Sequence, residues 1–280
     1  IGASIWQPYF DIYKMFQKES VVSHTCSWIF LVAPYISFTA YLGAALFLPV
    51  LSTSAMGSFI GDAIAFIYLL GFARFFIALA ALDAGSAFGG MGSSREMSLS
   101  ALAEPALMLT IFALAALTNT THLSTMVASF AALGLQVVSP VYPLALIAIA
   151  IITLAEAGRI PFDNPTTHLE LTMIHEAMIL EYSGKELALI EWGSAIKLTL
   201  LLTFIANIFF PIGIATNFSS QALIIALAAF IIKIAVLALL IALIETALAK
   251  MRLFRVPHLL SVANLLGFLA LVAAVVVWKY

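Results

Sequence analysis

The segment from Glu156 to Trp192 reads EAGRIPFDNPTTHLELTMIHEAMILEYSGKELALIEW, and it interrupts a chain that is otherwise strongly apolar. It carries seven of the fourteen acidic residues of the chain, together with two histidines, one arginine and one lysine. Only 9% of all residues are charged, so this concentration of polar groups sets the segment apart. We call residues 156–192 the acidic segment, and we expect the apolar runs on either side to hold it at one face of a bilayer.

The composition predicts a membrane protein. The 280 residues are 64% hydrophobic with a mean hydropathy of +1.13, whereas ordinary soluble domains are about 45–50% apolar. Several apolar runs exceed the roughly 18 residues needed to cross a hydrocarbon core, and they are continuous, unlike the short alternating segments of a β-barrel. We therefore expect residues 1–280 to form a single integral membrane domain, an all-α polytopic bundle. Its seven predicted spans are 28–50, 59–82, 98–118, 140–157, 193–214, 221–248 and 259–278.

Two segments outside these spans are also expected to contain helices. In residues 1–27, Ile12, Met15, Phe16 and Glu19 recur at helical spacing among several aromatic residues, which predicts an amphipathic helix lying in the membrane interface. Residues 119–139 are too polar at their start to form a span, and we expect an external loop with a partly buried helix.

The positions of the lysines and arginines predict the orientation. Seven spans place residues 1–27, 83–97, 158–192 and 249–258 on one side of the membrane, and the opposite loops contain no Lys or Arg. Because positive charges favour the cytoplasmic side, the acidic segment is predicted to be cytoplasmic. The basic residues on that side are Lys14, Lys18, Arg95, Arg159, Lys185, Lys250, Arg252 and Arg255.

Several ionisable residues lie within or at the ends of predicted spans, where a charge costs about 2.5–3.5 kcal/mol on insertion scales. Such groups normally face a protein interior or a wet cavity. One interpretation is that they form structural pairs between helices. The other, favoured by the presence of both signs, is a path for protons or ions. The residues are Asp62, Arg74, Glu104, Glu156, Lys233 and Glu245.

Within the acidic segment, Pro161 and Pro165 predict a loop at the membrane face. Thr166 or Thr167 is suited to cap a following helix. On that helix Glu170 and Glu181 would lie only about 20° apart in azimuth. His168, Thr172, His175 and Glu176 would lie on a second face of this helix. From composition alone, a solvated acidic loop remains an equal alternative.

The chain offers little for metal binding or for catalysis of its own. His175 and Glu176 are not followed by a second histidine at zincin spacing, and His168 lies about 10 Å from His175 along a helix. Cys26 is the only cysteine, so neither an intrachain disulfide nor a thiolate site is expected. No phosphate-binding loop or nucleophile elbow is present, and no nucleic-acid partner is predicted.

The run EAGRIPFDNPTTHLELTMIHEAMILEYSG resembles the signature loop of the membrane component that anchors the peripheral arm in complex I and in energy-converting NiFe hydrogenases, the NADH dehydrogenase subunit 1 family. Three further stretches agree with this family: IWQPYFDIYKMF at 5–16, FARFFIALAALDAGSAFGGMGSSRE at 72–96, and EP at 104–105. Asn164, Pro165 and Thr166 replace the acids that the quinone-reducing branch carries after Asp163, so the sequence is more similar to the hydrogenase and formate hydrogenlyase branch. The family has eight spans, which implies that one precedes Ile1.

The resemblance implies two groups of functional residues. Those implied in proton or ion coupling are Glu104, Glu156, Asp163, Glu170, Glu176, Glu181, Lys233 and Glu245. Those implied at the junction with the peripheral arm are Asp83, Arg95, Glu96, Arg159, His168 and His175.

The resemblance further implies a coupling subunit in a prokaryotic plasma (inner) membrane that links redox chemistry to proton or sodium translocation and holds no cofactor. The NiFe centre and Fe–S clusters would belong to partner subunits: hydrogenase-like large and small subunits and an Fe–S subunit, beside antiporter-like membrane subunits. A quinone-binding subunit of a complex I-type enzyme is the nearest alternative, with Trp6, Tyr9 and Phe10 at the entrance. A stand-alone transporter would show inverted repeats, which are not seen, and a structural anchor is a further alternative.

Overall fold

The apolar runs form long helices in the computed structural model, which describes residues 2, 4–53, 61–133, 139–163, 173–216 and 219–279. Among these residues six helices are long and apolar enough to cross a membrane, by length and composition, and the predicted span 140–157 is a shorter apolar helix. The predicted all-α polytopic bundle is confirmed. The helices are α1 (Gln7–Phe16), α2 (Trp28–Phe47), α3 (Ala63–Asp83), α4 (Ala87–Thr118), α5 (Leu123–Leu133), α6 (Val141–Glu156), α7 (His175–Ile179), α8 (Gly184–Phe209), α9 (Ser220–Ala247) and α10 (Val256–Lys279), with a 3₁₀ turn at Leu253–Arg255.

Helix α4 lies at the centre of the bundle, where it packs against α3, α6, α7 and α10. The largest hydrophobic cluster combines residues of α2, α3, α4, α6, α8 and α10, with Phe66 of α3 stacked on Phe204 of α8 at 5.8 Å between ring centroids. In contrast, α9 packs mainly on α8, and Ala226 is its one buried residue. The acidic segment therefore begins and ends on helices that belong to the packed part of the bundle.

Two helices near the acidic segment begin earlier than predicted. Residues 87–97 were expected in a loop, but α4 begins at Ala87, where the Ser86 hydroxyl caps it by accepting from the Gly89 N–H at 3.1 Å. Helix α8 likewise begins nine residues before the predicted span, at Gly184, whose φ of +59° suits glycine.

One local prediction is wrong. A helix that includes both His175 and Glu181 was expected, whereas α7 ends at Ile179 and Glu181 lies exposed beyond it. Contacts at both ends limit the helix. The Asp163 carboxylate accepts from the backbone N–H groups of Ile174 and His175, and beyond Ile179 the Tyr182 hydroxyl donates to the Phe30 carbonyl at 2.8 Å. The predicted cap at Thr166 or Thr167 lies outside the described residues.

Two predictions about the smaller helices agree with the structure. Helix α1 forms at Gln7–Phe16 with its aromatic residues exposed. The helix expected within 119–139 is α5, in which Leu123, Met126 and Phe130 are buried. Asp62, which sequence placed among the membrane charges, caps α3 by accepting from the Ile64 N–H at 2.7 Å.

Candidate functional site: a chain of ion pairs beneath the acidic segment

Arg74 is the centre of the site. It lies on α3, its residue is 6% exposed, and its guanidinium contacts acids from two other helices. Its Nη2 lies 2.8 Å from Glu156 Oε1 at the end of α6, and its Nη1 lies 3.6 Å from Glu104 Oε1 on α4. Its Nε lies 3.8 Å from Glu96 Oε1, and its Nη1 also donates to the Ser100 hydroxyl at 2.6 Å. One buried cation thus holds three carboxylates that the sequence separates widely.

Ion pairs continue from Arg74 into the acidic segment. Glu96 Oε2 lies 3.4 Å from His175 Nε2, and His175 Nδ1 lies 3.7 Å from Asp163 Oδ2. Asp163 Oδ1 lies in turn 3.1 Å from the Lys250 ammonium, which follows α9. The resulting ion-pair chain runs Glu104, Arg74, Glu96, His175, Asp163 and Lys250, and Glu156 joins it at Arg74. It connects a residue well inside a span with the segment outside the spans.

The ion pairs also favour the charged forms of His175 and Asp163, the two members of the chain that lie in the acidic segment. Burial opposes the charged form of His175, but the carboxylates of Glu96 and Asp163 outweigh burial and raise the pKa of the imidazole. Burial likewise opposes ionisation of Asp163, but His175 and Lys250 outweigh it and hold the pKa of that carboxyl well below its ordinary range. The structure therefore favours a protonated His175 beside an ionised Asp163.

Close packing holds α7 against α4 and α6. A Cβ at Gly92 of α4 would lie 2.9 Å from the Ala177 Cβ, and a Cβ at Gly158 would lie 2.8 Å from His175 Nδ1. Gly158 also has a φ of +60°, so it turns the chain at the end of α6 and lets the imidazole approach. Arg95 adds a polar contact by donating from Nη1 to the Met173 carbonyl at 2.9 Å.

A cavity of about 230 Å³ lies beneath the acidic segment, between α2, α3, α4 and α8. Tyr41, Ser37 and Ser194 contribute hydroxyl groups to its wall. Its acidic and basic lining consists of Arg74, Glu96, Arg159, Asp163, His175, Glu176, Glu191 and Lys197. A second cavity, of about 370 Å³, lies on the Glu104 side of Arg74 and is lined by aromatic residues of α3. Arg74 contributes to both cavities and separates them.

The structure brings together five of the predicted site residues, namely Glu96, Glu104, Glu156, Asp163 and His175. Arg159 lines the same cavity and lies 3.5 Å from Glu245, which connects α9 to the site. Glu176 lines the cavity as well. His168 and Glu170 lie outside the described residues.

Four predicted residues lie apart from the ion-pair chain. Asp83 accepts from the Ser27 N–H at 2.7 Å and so fixes the start of α2. Glu181 is exposed. Arg95 contacts the acidic segment through the Met173 carbonyl. Lys233 donates to the Asn207 side-chain oxygen at 2.8 Å and to the Phe210 carbonyl at 3.2 Å, at the far end of α8.

The predicted site residues did not include four groups that the structure places at the site: Arg74, Glu191, Lys197 and Lys250. Arg74 was noted as a charge inside a span, and three acids near one membrane face require a cation, so its role was within reach. Lys250 was counted only for orientation. Glu191 lies in the part of α8 that begins earlier than predicted. Lys197 lies within the predicted span 193–214, and its place in the cavity wall follows from how α8 packs against α2 and α6.

The described residues contain no group of three or more histidine, cysteine or acidic side chains arranged to hold a metal ion. The acids of the ion-pair chain contact arginine, lysine or histidine.

Fold and site together define a polytopic helical membrane protein whose spans enclose a row of coupled acids and cations. The family model described as NADH dehydrogenase matches residues 1–278, and the chain belongs to this family. The predicted resemblance is thereby confirmed.

Similar proteins include two from Escherichia coli (strain K12). The chain is 35% identical to hydrogenase-4 component C over 278 residues, which cover 99% of this chain and 85% of that protein. It is 34% identical to formate hydrogenlyase subunit 4 over 272 residues, which cover 97% and 87% of the two proteins. A chain of the membrane-bound sulfane sulfur reductase, an archaeal respiratory membrane complex, matches with a TM-score of 0.84 and 22% identity, over 98% of this chain and 88% of that one. This last similarity shows a shared fold.

Proposed function

We propose that this chain is the membrane-anchoring and coupling subunit of a multisubunit respiratory-type complex of the membrane-bound hydrogenase or formate hydrogenlyase type. It links redox chemistry in a peripheral arm to the translocation of protons or sodium ions. The similarity to hydrogenase-4 component C and formate hydrogenlyase subunit 4 supports the type of complex. The observation that carries the coupling role is the continuous ion-pair chain between the acidic segment and Glu104.

The ion-pair chain suits coupling because its members share charges. Arg74 contacts three acids, so a proton gained by one of them changes the attraction that Arg74 exerts on the other two. His175 connects the acidic segment to the same cluster through Glu96 at 3.4 Å. A change of charge at the surface of the acidic segment therefore alters the proton affinity of acids inside the spans, step by step along the chain.

The same proposal assigns partners and location. The acidic segment faces the cytoplasm of a prokaryote and contacts hydrogenase-like large and small subunits and an Fe–S subunit, which hold the NiFe centre and the Fe–S clusters. The residues proposed at this junction are Asp83, Arg95, Glu96, Arg159, His168 and His175. Antiporter-like subunits lie beside the spans in the inner membrane. The remaining predicted acids, Glu170, Glu176, Glu181 and Glu245, together with Lys233, are proposed to extend the coupling path.

A quinone-binding role is the alternative. Ligand pockets are mostly apolar with few polar groups, whereas the walls of the 230 Å³ cavity carry eight acidic or basic side chains. Trp6, Tyr9 and Phe10, expected at a quinone entrance, are exposed on or beside α1 and do not line this cavity. The charged lining favours coupling over quinone binding.

The test uses the intact complex, purified through a tag on this chain and reconstituted in liposomes. Electron transfer and ion uptake are measured together, with and without added quinone, and nickel is assayed. Glu104→Gln should preserve electron transfer while the number of ions moved per electron pair falls toward zero. The matched control is Glu19→Gln, an exposed glutamate outside the spans, which should retain both activities.

Two results would refute the proposal. If Glu104→Gln moves as many ions per electron pair as the control, the chain is an anchor without a coupling role. If the complex lacks nickel and its electron transfer depends on quinone, the quinone-binding alternative replaces the hydrogenase type.

A further inference from the structure

Lys197 lies at the site but has no hydrogen-bond or ion-pair partner among the described residues. It is on α8, its residue is 7% exposed, and it lines the 230 Å³ cavity. Within the described part of the chain its ammonium makes no hydrogen bond and no ion pair within 4 Å, in contrast to Arg74. A buried charge without a partner is costly, so this position requires an explanation.

Glu156 offers the complementary group. Its Oε1 binds Arg74, but its Oε2 is buried and has no hydrogen-bond partner among the described residues. The cavity that Lys197 lines is also lined by Arg74, the ion-pair partner of Glu156, and by Ala157, its neighbour in the chain, and α8 packs beside α6. An ammonium and a carboxylate oxygen, each without a partner among the described residues, therefore lie near the same cavity and form no ion pair with each other.

We propose that Lys197 is a second, alternating counter-ion of Glu156. In the conformation described here, Arg74 holds Glu156 and Lys197 faces the cavity. In a second conformation the Lys197 ammonium binds Glu156, and Arg74 remains with Glu96 and Glu104. The long, flexible lysine side chain is suited to this exchange, whereas the planar guanidinium of Arg74 keeps several partners at once.

This exchange gives the ion-pair chain two discrete states, which coupling requires. It rests on the proposed coupling function and adds a positioning residue to it: Lys197 acts through Glu156 and Arg74. When Lys197 takes Glu156, the attraction of Arg74 is concentrated on the two acids of α4. The state of the carboxylate at the end of α6 is thereby communicated to Glu104.

The experiment uses the reconstituted complex and the number of ions moved per electron pair. Lys197→Met and Glu156→Gln should each lower this number. The double variant should lower it no further than the stronger single variant, because both changes remove the same interaction. Lys197→Arg should restore most of the loss, since it preserves the charge. Lys185→Met is the matched control, because Lys185 lies at the exposed start of α8, and it should behave as the unchanged complex.

Two outcomes overturn the inference: Lys197→Met moves as many ions as the control, or the losses of the two single variants multiply in the double variant. If Lys197→Met fails to assemble, Lys197→Gln, which keeps a polar group without a charge, is judged by the same two outcomes. Comparison with Glu104→Gln separates this inference from the proposed function. Normal translocation in Glu104→Gln removes the proposed function, whereas a loss there with normal translocation in Lys197→Met removes the alternating lysine alone.

Discussion

Replacing Gly92 by alanine tests whether the packing of α7 on α4 determines the distances between the members of the ion-pair chain. The added Cβ would lie 2.9 Å from the Ala177 Cβ and 3.0 Å from the Ile174 carbonyl oxygen. Comfortable contacts between such atoms are about 3.5–4.0 Å, so α7 must move by roughly 0.5–1 Å. Glu96 lies one helical turn after Gly92 on α4, and its distance of 3.4 Å to His175 would lengthen with this movement.

The expected magnitude follows from two opposing effects. Overpacking costs about 1–3 kcal/mol, while replacing a glycine inside a helix by alanine gains about 0.5–1 kcal/mol. The same gain applies to Gly90→Ala, and a Cβ at Gly90 meets no atom within 4 Å. The difference between the two variants therefore isolates the packing of α7, at about 1–3 kcal/mol.

Hydrogen–deuterium exchange of residues 173–182 in the intact complex measures this difference. A cost of 1–3 kcal/mol for holding α7 in place should speed exchange about 5- to 150-fold in Gly92→Ala relative to Gly90→Ala. The number of ions moved per electron pair should fall in Gly92→Ala only. Equal exchange rates and equal translocation in the two variants would refute the role assigned to this contact.

Two further predictions concern Asp163 and Asn207. Because its pKa is lowered, ionised Asp163 stabilises the folded site, and this stabilisation is lost as the pH falls through the pKa of Asp163. Because its pKa is raised, protonated His175 also stabilises the folded site, and this stabilisation is lost as the pH rises through the pKa of His175. Asp163→Asn removes an attraction that raises the pKa of His175, so His175 should lose its proton at lower pH. Hydrogen–deuterium exchange of residues 173–182 should therefore accelerate at lower pH than in the wild-type complex. An unshifted pH profile of this exchange would contradict the pairing of Asp163 with His175. Asn207→Ala removes two hydrogen bonds to the Pro49 and Val50 carbonyls, just beyond α2, and the nearest acceptor of Lys233, and should cost about 2–4 kcal/mol. Thermal unfolding of the complex checks this cost, and an unchanged midpoint would contradict it.

Much of the fold was predictable because bilayer thickness and hydropathy fix the length and position of a span. The start of α4 was not, since Gly89, Gly90 and Gly92 weaken the helical signal. In the structure, packing supplies the reason for two of these glycines: a Cβ at Gly89 would lie 2.5 Å from the Ala81 carbonyl oxygen, and one at Gly92 would meet α7. Tertiary contacts thus decide a helix boundary that local propensity leaves open.

The sequence could identify which acids belong to the site but not which cations they contact. A glutamate such as Glu104 inside an apolar run requires a partner or a wet cavity, and this requirement identifies it from sequence. Its partner Arg74 lies 30 residues away on another helix, and no spacing rule relates them. The same limit applies to Lys197 and Glu156, whose proximity follows only from the packing of α8 beside α6.

Glu96 and Glu104 lie on one continuous helix, and this has an electrical consequence. Their separation in sequence corresponds to about 12 Å along α4, roughly two-fifths of a hydrocarbon core about 30 Å thick. Moving one charge across a full membrane potential costs about 2.3 kcal/mol per 100 mV, so moving a proton between these two levels costs about 0.9 kcal/mol at 100 mV for a helix along the membrane normal. At about 150 mV the cost is about 1.4 kcal/mol, which changes the equilibrium ratio of the proton between the two levels about tenfold. The distribution of protons between the two acids is then voltage-dependent, and a charged membrane opposes or assists the coupling step according to its polarity.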